Sequence, residues 1–164
     1  MGEATEPTEQ HRWLQALEGD WTWESWSIPE DPKCRWSGAE TVSRYGDLWT
    51  VFEGKAQTPE GTDASSLRIT LGYDPDKAKF VGSFISTMMA SFWAYEGTLD
   101  PDGRILRLKA RGPRFDGKPG EADYEDLIEV VSPDERYLRG TMQADDGTWT
   151  EFMVTRYRRK GAAG

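Results

Sequence analysis

Short acidic turn sequences cut the second half of this chain at near-regular intervals. They are Asp74-Pro75-Asp76-Lys77, Asp100-Pro101-Asp102-Gly103, Ser132-Pro133-Asp134-Glu135 and Asp145-Asp146-Gly147. Pro presets φ at the first corner of a turn, and Gly accepts the positive φ that tight hairpins often need. Strands joined by turns this short run antiparallel, because a parallel crossover needs a dozen or more residues. From residue 67 onward the chain therefore reads as a long antiparallel meander.

Strand-like segments continue that reading in both directions. They cover residues 20–26, 35–45, 48–53, 67–73, 80–88, 92–99, 105–110, 124–131, 137–143 and 148–158. The clearest alternation sets Leu67, Ile69, Leu71 and Tyr73 against Arg68, Thr70 and Gly72. Residues 54–64 and 112–120 read as polar loops. About ten strands exceed what a strongly twisted open sheet holds without curling or splitting, and closure removes the exposed edges. The fold class expected is all-β, a single antiparallel meander of about ten strands closed into a barrel.

A short helix precedes the strands. Thr8 is placed as its N-cap, Trp13, Leu14 and Leu17 form one apolar stripe, and Gly19 ends it. A solvated helix this short is marginal in water, so residues 8–17 are expected to cap one end of the barrel. Residues 1–7 are charged, small and Pro-containing and read as a disordered tail. Residues 8–160 read as one domain and 161–164 as a second tail.

The 164 residues carry a net charge of −9. That balance argues against a nucleic-acid partner, which would need a basic face, and against docking on an anionic membrane. No run of 18 apolar residues exists to span a bilayer. Residues 1–10 lack the apolar core of a signal peptide, and the single cysteine, Cys34, excludes an internal disulfide framework. A reducing cytoplasm is the expected compartment. The short basic end, Arg156, Arg158, Arg159 and Lys160, reads as a charged strand end.

The chemistry of the common catalytic sites is missing. The one histidine, His11, lies in the helix, where a capping or helix-surface role beside Trp13 suits it. Zinc sites want several Cys and His ligands, and no Gly-rich phosphate loop is present. No metal and no cofactor is therefore expected. No strand segment carries a histidine, so a haem inside the barrel would have no histidine ligand there.

Carboxylates remain as candidates. Glu40 shares its phase with Trp36 and Val42, and Glu96 sits between Tyr95 and Gly97. Pointing inward, either would have its pKa raised by desolvation unless an Arg or Tyr paired with it, and could anchor a ligand or act as a base. Outward placement, or an internal Glu–Arg pair, would make them structural. The eight Trp fill a small barrel or line a pocket. Trp36, Trp49 and Trp93 are the candidates for lining, with Met88 and Met89, whose adaptable thioethers suit varied apolar ligands.

The chain resembles a bacterial family known as domain of unknown function fifteen-seventy-nine. The resemblance runs through His11-x-Trp13-Leu14-Gln15-x-Leu17-x-Gly19-x-Trp21, Ser37-Gly38-x-Glu40-Thr41, Gly46-x-Leu48-Trp49 and Thr70-Leu71-Gly72-Tyr73-Asp74. It continues through Phe80-Val81-Gly82-x-Phe84-Ile85-x-Thr87-Met88-Met89, Trp93-x-Tyr95-x-Gly97-x-Leu99-Asp100 and Phe152-Met153-x-x-x-Tyr157-Arg158-Arg159. It implies a calycin-like barrel, similar in outline to the lipocalins, and implies no activity.

Three functional readings follow. The first is binding of a small, mostly apolar molecule in the barrel interior, without catalysis. The second is a metal-independent enzyme using Glu40 or Glu96 as acid or base. The third is a packed barrel acting through a homodimer or partner interface. Interior volume separates them, because ligand pockets usually start near about 300 Å³.

Overall fold

The structure is a computed structural model that describes residues 3–162; residues 1–2 and 163–164, parts of the two expected tails, lie outside the described residues. After a helix, α1 (Glu9–Gln15), the strands are β1 (Gly19–Ser27), β2 (Arg35–Tyr45), β3 (Trp49–Gln57), β4 (Asp63–Asp74) and β5 (Lys79–Ser86). They continue as β6 (Met89–Leu99), β7 (Ile105–Pro113), β8 (Glu121–Ser132), β9 (Glu135–Gln143) and β10 (Trp149–Arg159). All ten form one closed antiparallel barrel in which each strand pairs with its neighbours in sequence, and β1 pairs with β10 to close the ring.

The expected loops are shorter than the sequence suggested. Gly54 to Gln57 and Asp63 to Ser66 belong to strands, because the β3–β4 ladder continues past the apolar alternation, through Gly54↔Leu67 to Gln57↔Asp63. Likewise β7 runs on to Pro113, paired with Glu121. Backbone pairing, not side-chain hydrophobicity, carries these ends. Thr87 and Met88 form a turn, not a continuation of β5.

Helix α1 closes one end. Leu14 and Leu17 are buried in the main core with Trp21, Leu71, Phe80 and Leu106, and Trp13 packs against it. Polar bonds fix the plug in place. Trp13 Nε1 donates to the Gly103 carbonyl at 2.8 Å, Gln15 Nε2 to that of Asp47 at 2.9 Å, and Trp21 Nε1 to that of Leu17 at 2.9 Å. Arg159, at the end of β10, donates to the carbonyls of Ala16, Glu18 and Pro133. His11 caps the helix, its Nδ1 accepting from the Thr8 N–H at 2.9 Å. It is not a surface residue: it is 2% exposed, with its ring edge-on to Tyr73. Burial lowers its pKa, so the neutral ring that the cap requires is favoured.

Opposite the plug the barrel is open, and the sequence explains why. Inward side chains shrink along several strands from the closed end toward the mouth. On β7 they run Leu106, Leu108, Ala110, Gly112; on β3, Phe52, Gly54, Ala56; on β1, Trp21, Trp23, Ser25. The large residues fill the closed half. The small ones leave space in the other.

Candidate functional site

That space is a cavity of about 360 Å³ reaching the open end. Trp23, Trp36, Phe84, Trp93, Tyr95, Tyr124, Phe152 and Tyr157 supply aromatic walls, and Leu67, Ile69, Leu138, Met88, Met89 and Met153 aliphatic ones. Two glycines shape these walls. A Cβ at Gly38 would run into the Trp23 indole, and one at Gly112 into the Trp93 indole. Their absent side chains let both rings lie flat against the neighbouring strand. Trp93 Nε1 reaches Met89 Sδ at 3.2 Å, and the ring meets Tyr124 edge-on at 5.1 Å. Phe115, from the β7–β8 loop, meets Tyr124 and Phe152 edge-on at the mouth and is more than half exposed.

The sequence candidates divide. Trp36, Glu40, Met88, Met89 and Trp93 line the cavity. Trp49 and Glu96 do not. Trp49 is out of phase with the inward Thr50, Phe52 and Gly54, and its ring covers the outer side of Gly72. Glu96 is exposed because Trp93, Tyr95 and Gly97 take the inward positions of β6. An inward Glu96 is therefore corrected by the strand's strict alternation.

Glu40 points inward and is 7% exposed, yet it is not free. It forms a close ion pair with Arg136, itself 2% exposed. Burial pushes the Glu40 carboxyl up and the guanidinium opposes that rise. Arg136 is held between aromatic faces, 3.9 Å from the Tyr157 ring centre and 4.7 Å from that of Trp21. This is the internal Glu–Arg pair that marks a structural role. The pair is electrically neutral and leaves no base at that point of the cavity.

A second acidic group escaped the sequence reading. Asp126, on β8, lines the cavity and accepts a hydrogen bond from Tyr95 Oη at 2.5 Å. Burial raises its pKa to about 6, with only the Tyr95 hydrogen bond pulling the other way. The Tyr95 hydroxyl is pushed up, chiefly by burial and then by the Asp126 charge. The signal was present in the alternation Ala122, Tyr124, Asp126, Ile128, but Asp123, Glu125 and Glu129 surround it and disguise one inward acid among outward ones. Ser25 and Thr155 add a small polar pair, bonded to each other at 3.0 Å. Among the described residues no cluster of three or more His, Cys, Asp or Glu is placed to hold a metal ion, and Cys34 is an exposed free thiol.

The chain belongs to the family described as protein of unknown function (DUF1579), which matches over residues 6–159. No curated protein matches it. Among solved structures it is similar to Rv2717c from M. tuberculosis, with a TM-score of 0.63 and 13% identity, covering 94% of this chain and 99% of that one. It is also similar to the S-type phycobiliprotein lyase CPES from Guillardia theta, with a TM-score of 0.51 and 13% identity, covering 93% of each chain. A de novo designed fluorescence-activating β-barrel aligns over 90% of this chain and 96% of its own, at a TM-score of 0.47 and 16% identity. At these identities the likeness to the first two is one of fold alone.

Proposed function

We propose that the protein binds a small, mostly apolar molecule inside the barrel, without chemical conversion. The observation that supports this is the cavity itself. At about 360 Å³, open at one end and walled by aromatic rings, it falls in the size range of ligand pockets and not of packing defects. The inward taper of β1, β3 and β7 produces it across several strands at once. Trp36, Met88, Met89 and Trp93 are the proposed contacts from the sequence reading, with Trp23, Tyr124 and Phe152 joining them. The two carboxylates first considered for acid–base work give the enzyme reading no support, since one is neutralised by Arg136 and the other is exposed.

Indole emission tests the reading, because Trp23, Trp36 and Trp93 border the cavity. Titration with decanol and with a solvatochromic apolar dye is expected to quench or shift emission at micromolar concentrations. An unchanged spectrum from a folded protein overturns it.

A further inference from the structure

The polar groups of the cavity are unequal, and that inequality points to the charge of the ligand. Glu40 is satisfied by Arg136. Asp126 has only the Tyr95 hydroxyl, on one of its two oxygens. Its register partners on the flanking strands are Leu108 and Gly140, which offer no side-chain donor. The other ionisable groups that act on this region are Tyr124 on its own strand, Tyr157 on β10, and the Glu40–Arg136 pair beyond it. The tyrosines are neutral and the pair carries no net charge, so ionised Asp126 is an uncompensated negative charge in an aromatic cavity. Such a charge is costly to keep unpaired. Tyr95, Tyr124, Tyr157, Trp93 and Phe84 line the same cavity, and aromatic faces attract cations.

We infer that the ligand is a cationic amphiphile, an apolar body carrying a protonated amine that pairs with Asp126. This rests on the cavity-binding reading and specifies the chemical class it takes. The ammonium donates to the free oxygen of Asp126, the Tyr95 hydroxyl holds the other oxygen in place, and the apolar body lies toward Trp93, Met89 and Phe152 at the mouth. An anionic amphiphile, such as a fatty acid, would meet a like charge at the same point and is disfavoured. The raised carboxyl fits this assignment, because a cation arriving beside it would restore ionisation.

The test uses three probes with one tail: decylamine, decanol and decanoate, titrated by tryptophan emission at pH 8 into the full chain and its Asp126→Asn variant. A charge-assisted bond to a partly buried carboxylate corresponds to about ten- to a hundredfold in affinity. Decylamine is expected to bind more tightly than decanol by that factor, and decanoate most weakly. In Asp126→Asn the amine's advantage should vanish while decanol affinity stays. If Asp126→Asn does not fold, the pH arm on the native chain decides: the amine preference fades as pH falls below about 6, while decanol is unaffected. Equal affinity for amine and alcohol, tightest binding by decanoate, or an amine preference that survives in Asp126→Asn overturns the inference and leaves the cavity reading standing. No binding of any of the three removes the cavity reading, and the inference with it.

Discussion

Glu40 of β2 and Arg136 of β9 meet across two intervening strands, β10 and β1, inside the seam where the barrel closes. The guanidinium lies over Tyr157 of β10 and Trp21 of β1, so the pair and its aromatic clamp join four consecutive strands of the ring. Arg136 Nε has no hydrogen-bond partner in this arrangement, which makes Arg136 dependent on Glu40 for most of its compensation.

Removing one member should therefore cost more than removing both. Glu40→Gln leaves a buried cation without its counter-charge and is expected to destabilise by about 3–5 kcal/mol. The double change Glu40→Leu with Arg136→Met should cost less than Glu40→Leu or Arg136→Met alone. Urea midpoints of the three variants check this; a double variant that loses the sum of the two singles would show that the charges do not act as a pair.

Asp126 sets a pH dependence whose sign is fixed. Its carboxyl titrates near the usual 3.8 when unfolded and at about 6 when folded. Between those values the folded state holds the extra proton, so stability falls as pH rises through the window. The difference between those two values corresponds to about 3 kcal/mol at most. Relative to Asp126→Asn, the native chain should lose that stability between pH 4 and pH 7, as urea unfolding at several pH values will measure. A flat difference would mean that Asp126 is not desolvated.

The helix is a plug and not a detachable tail. Trp13, Leu14 and Leu17 pack into the core of the closed end, and each buried side chain contributes roughly 1.5–3 kcal/mol. Truncation before Gly19 should be severe against a total stability of about 5–15 kcal/mol, while truncation before Pro7 should change the urea midpoint little. Equal midpoints for the two would assign the helix to a partner instead.

The tryptophans should divide by position. Trp93→Phe is expected to remove a large part of the emission change caused by an apolar ligand, because Trp93 lines the cavity. Trp49→Phe should leave that change intact, since Trp49 sits on the outer face over Gly72. A ligand signal that follows Trp49 would place binding outside the barrel.

Haem, offered to the protein, should give the same spectrum with His11→Ala as with the native chain. His11 is buried at the closed end with Nδ1 engaged by the Thr8 amide. The substitution should still cost about 1 kcal/mol through loss of the cap. A sharp absorption band that disappears with His11 would contradict this placement.

Most of the barrel was legible because turn chemistry and period-two alternation are local. Pro, Asp and Gly fix the hairpins, and the hairpins fix the direction of the strands. Phase also separated Trp36 and Glu40 from their outward neighbours. Where the phase was not followed strictly the reading failed: Glu96 is on the opposite face from Trp93 and Tyr95, and Asp126 is on the same face as Tyr124 and Ile128. Arg136 as the partner of Glu40 could not be read at all. The two are 96 positions apart and meet only because β1 and β10 close the ring.

That closing seam is unlike every other pairing in the molecule. Among the described residues nine ladders join strands adjacent in sequence, and each can form as a hairpin; β1 with β10 alone unites opposite ends of the fold. Loop-closure entropy grows with the length of chain enclosed, so this ladder carries the largest closure cost and is expected to form after the hairpins. A chain halted before it carries two unpaired strand edges, Gly19–Ser27 and Trp149–Arg159, each able to template on another copy. Arg159, bonded across the seam to the carbonyls of Ala16 and Glu18 and lying 4.4 Å from the Trp21 ring centre, adds side-chain bonds to that ladder and so favours the closed ring over a state with both edges bare.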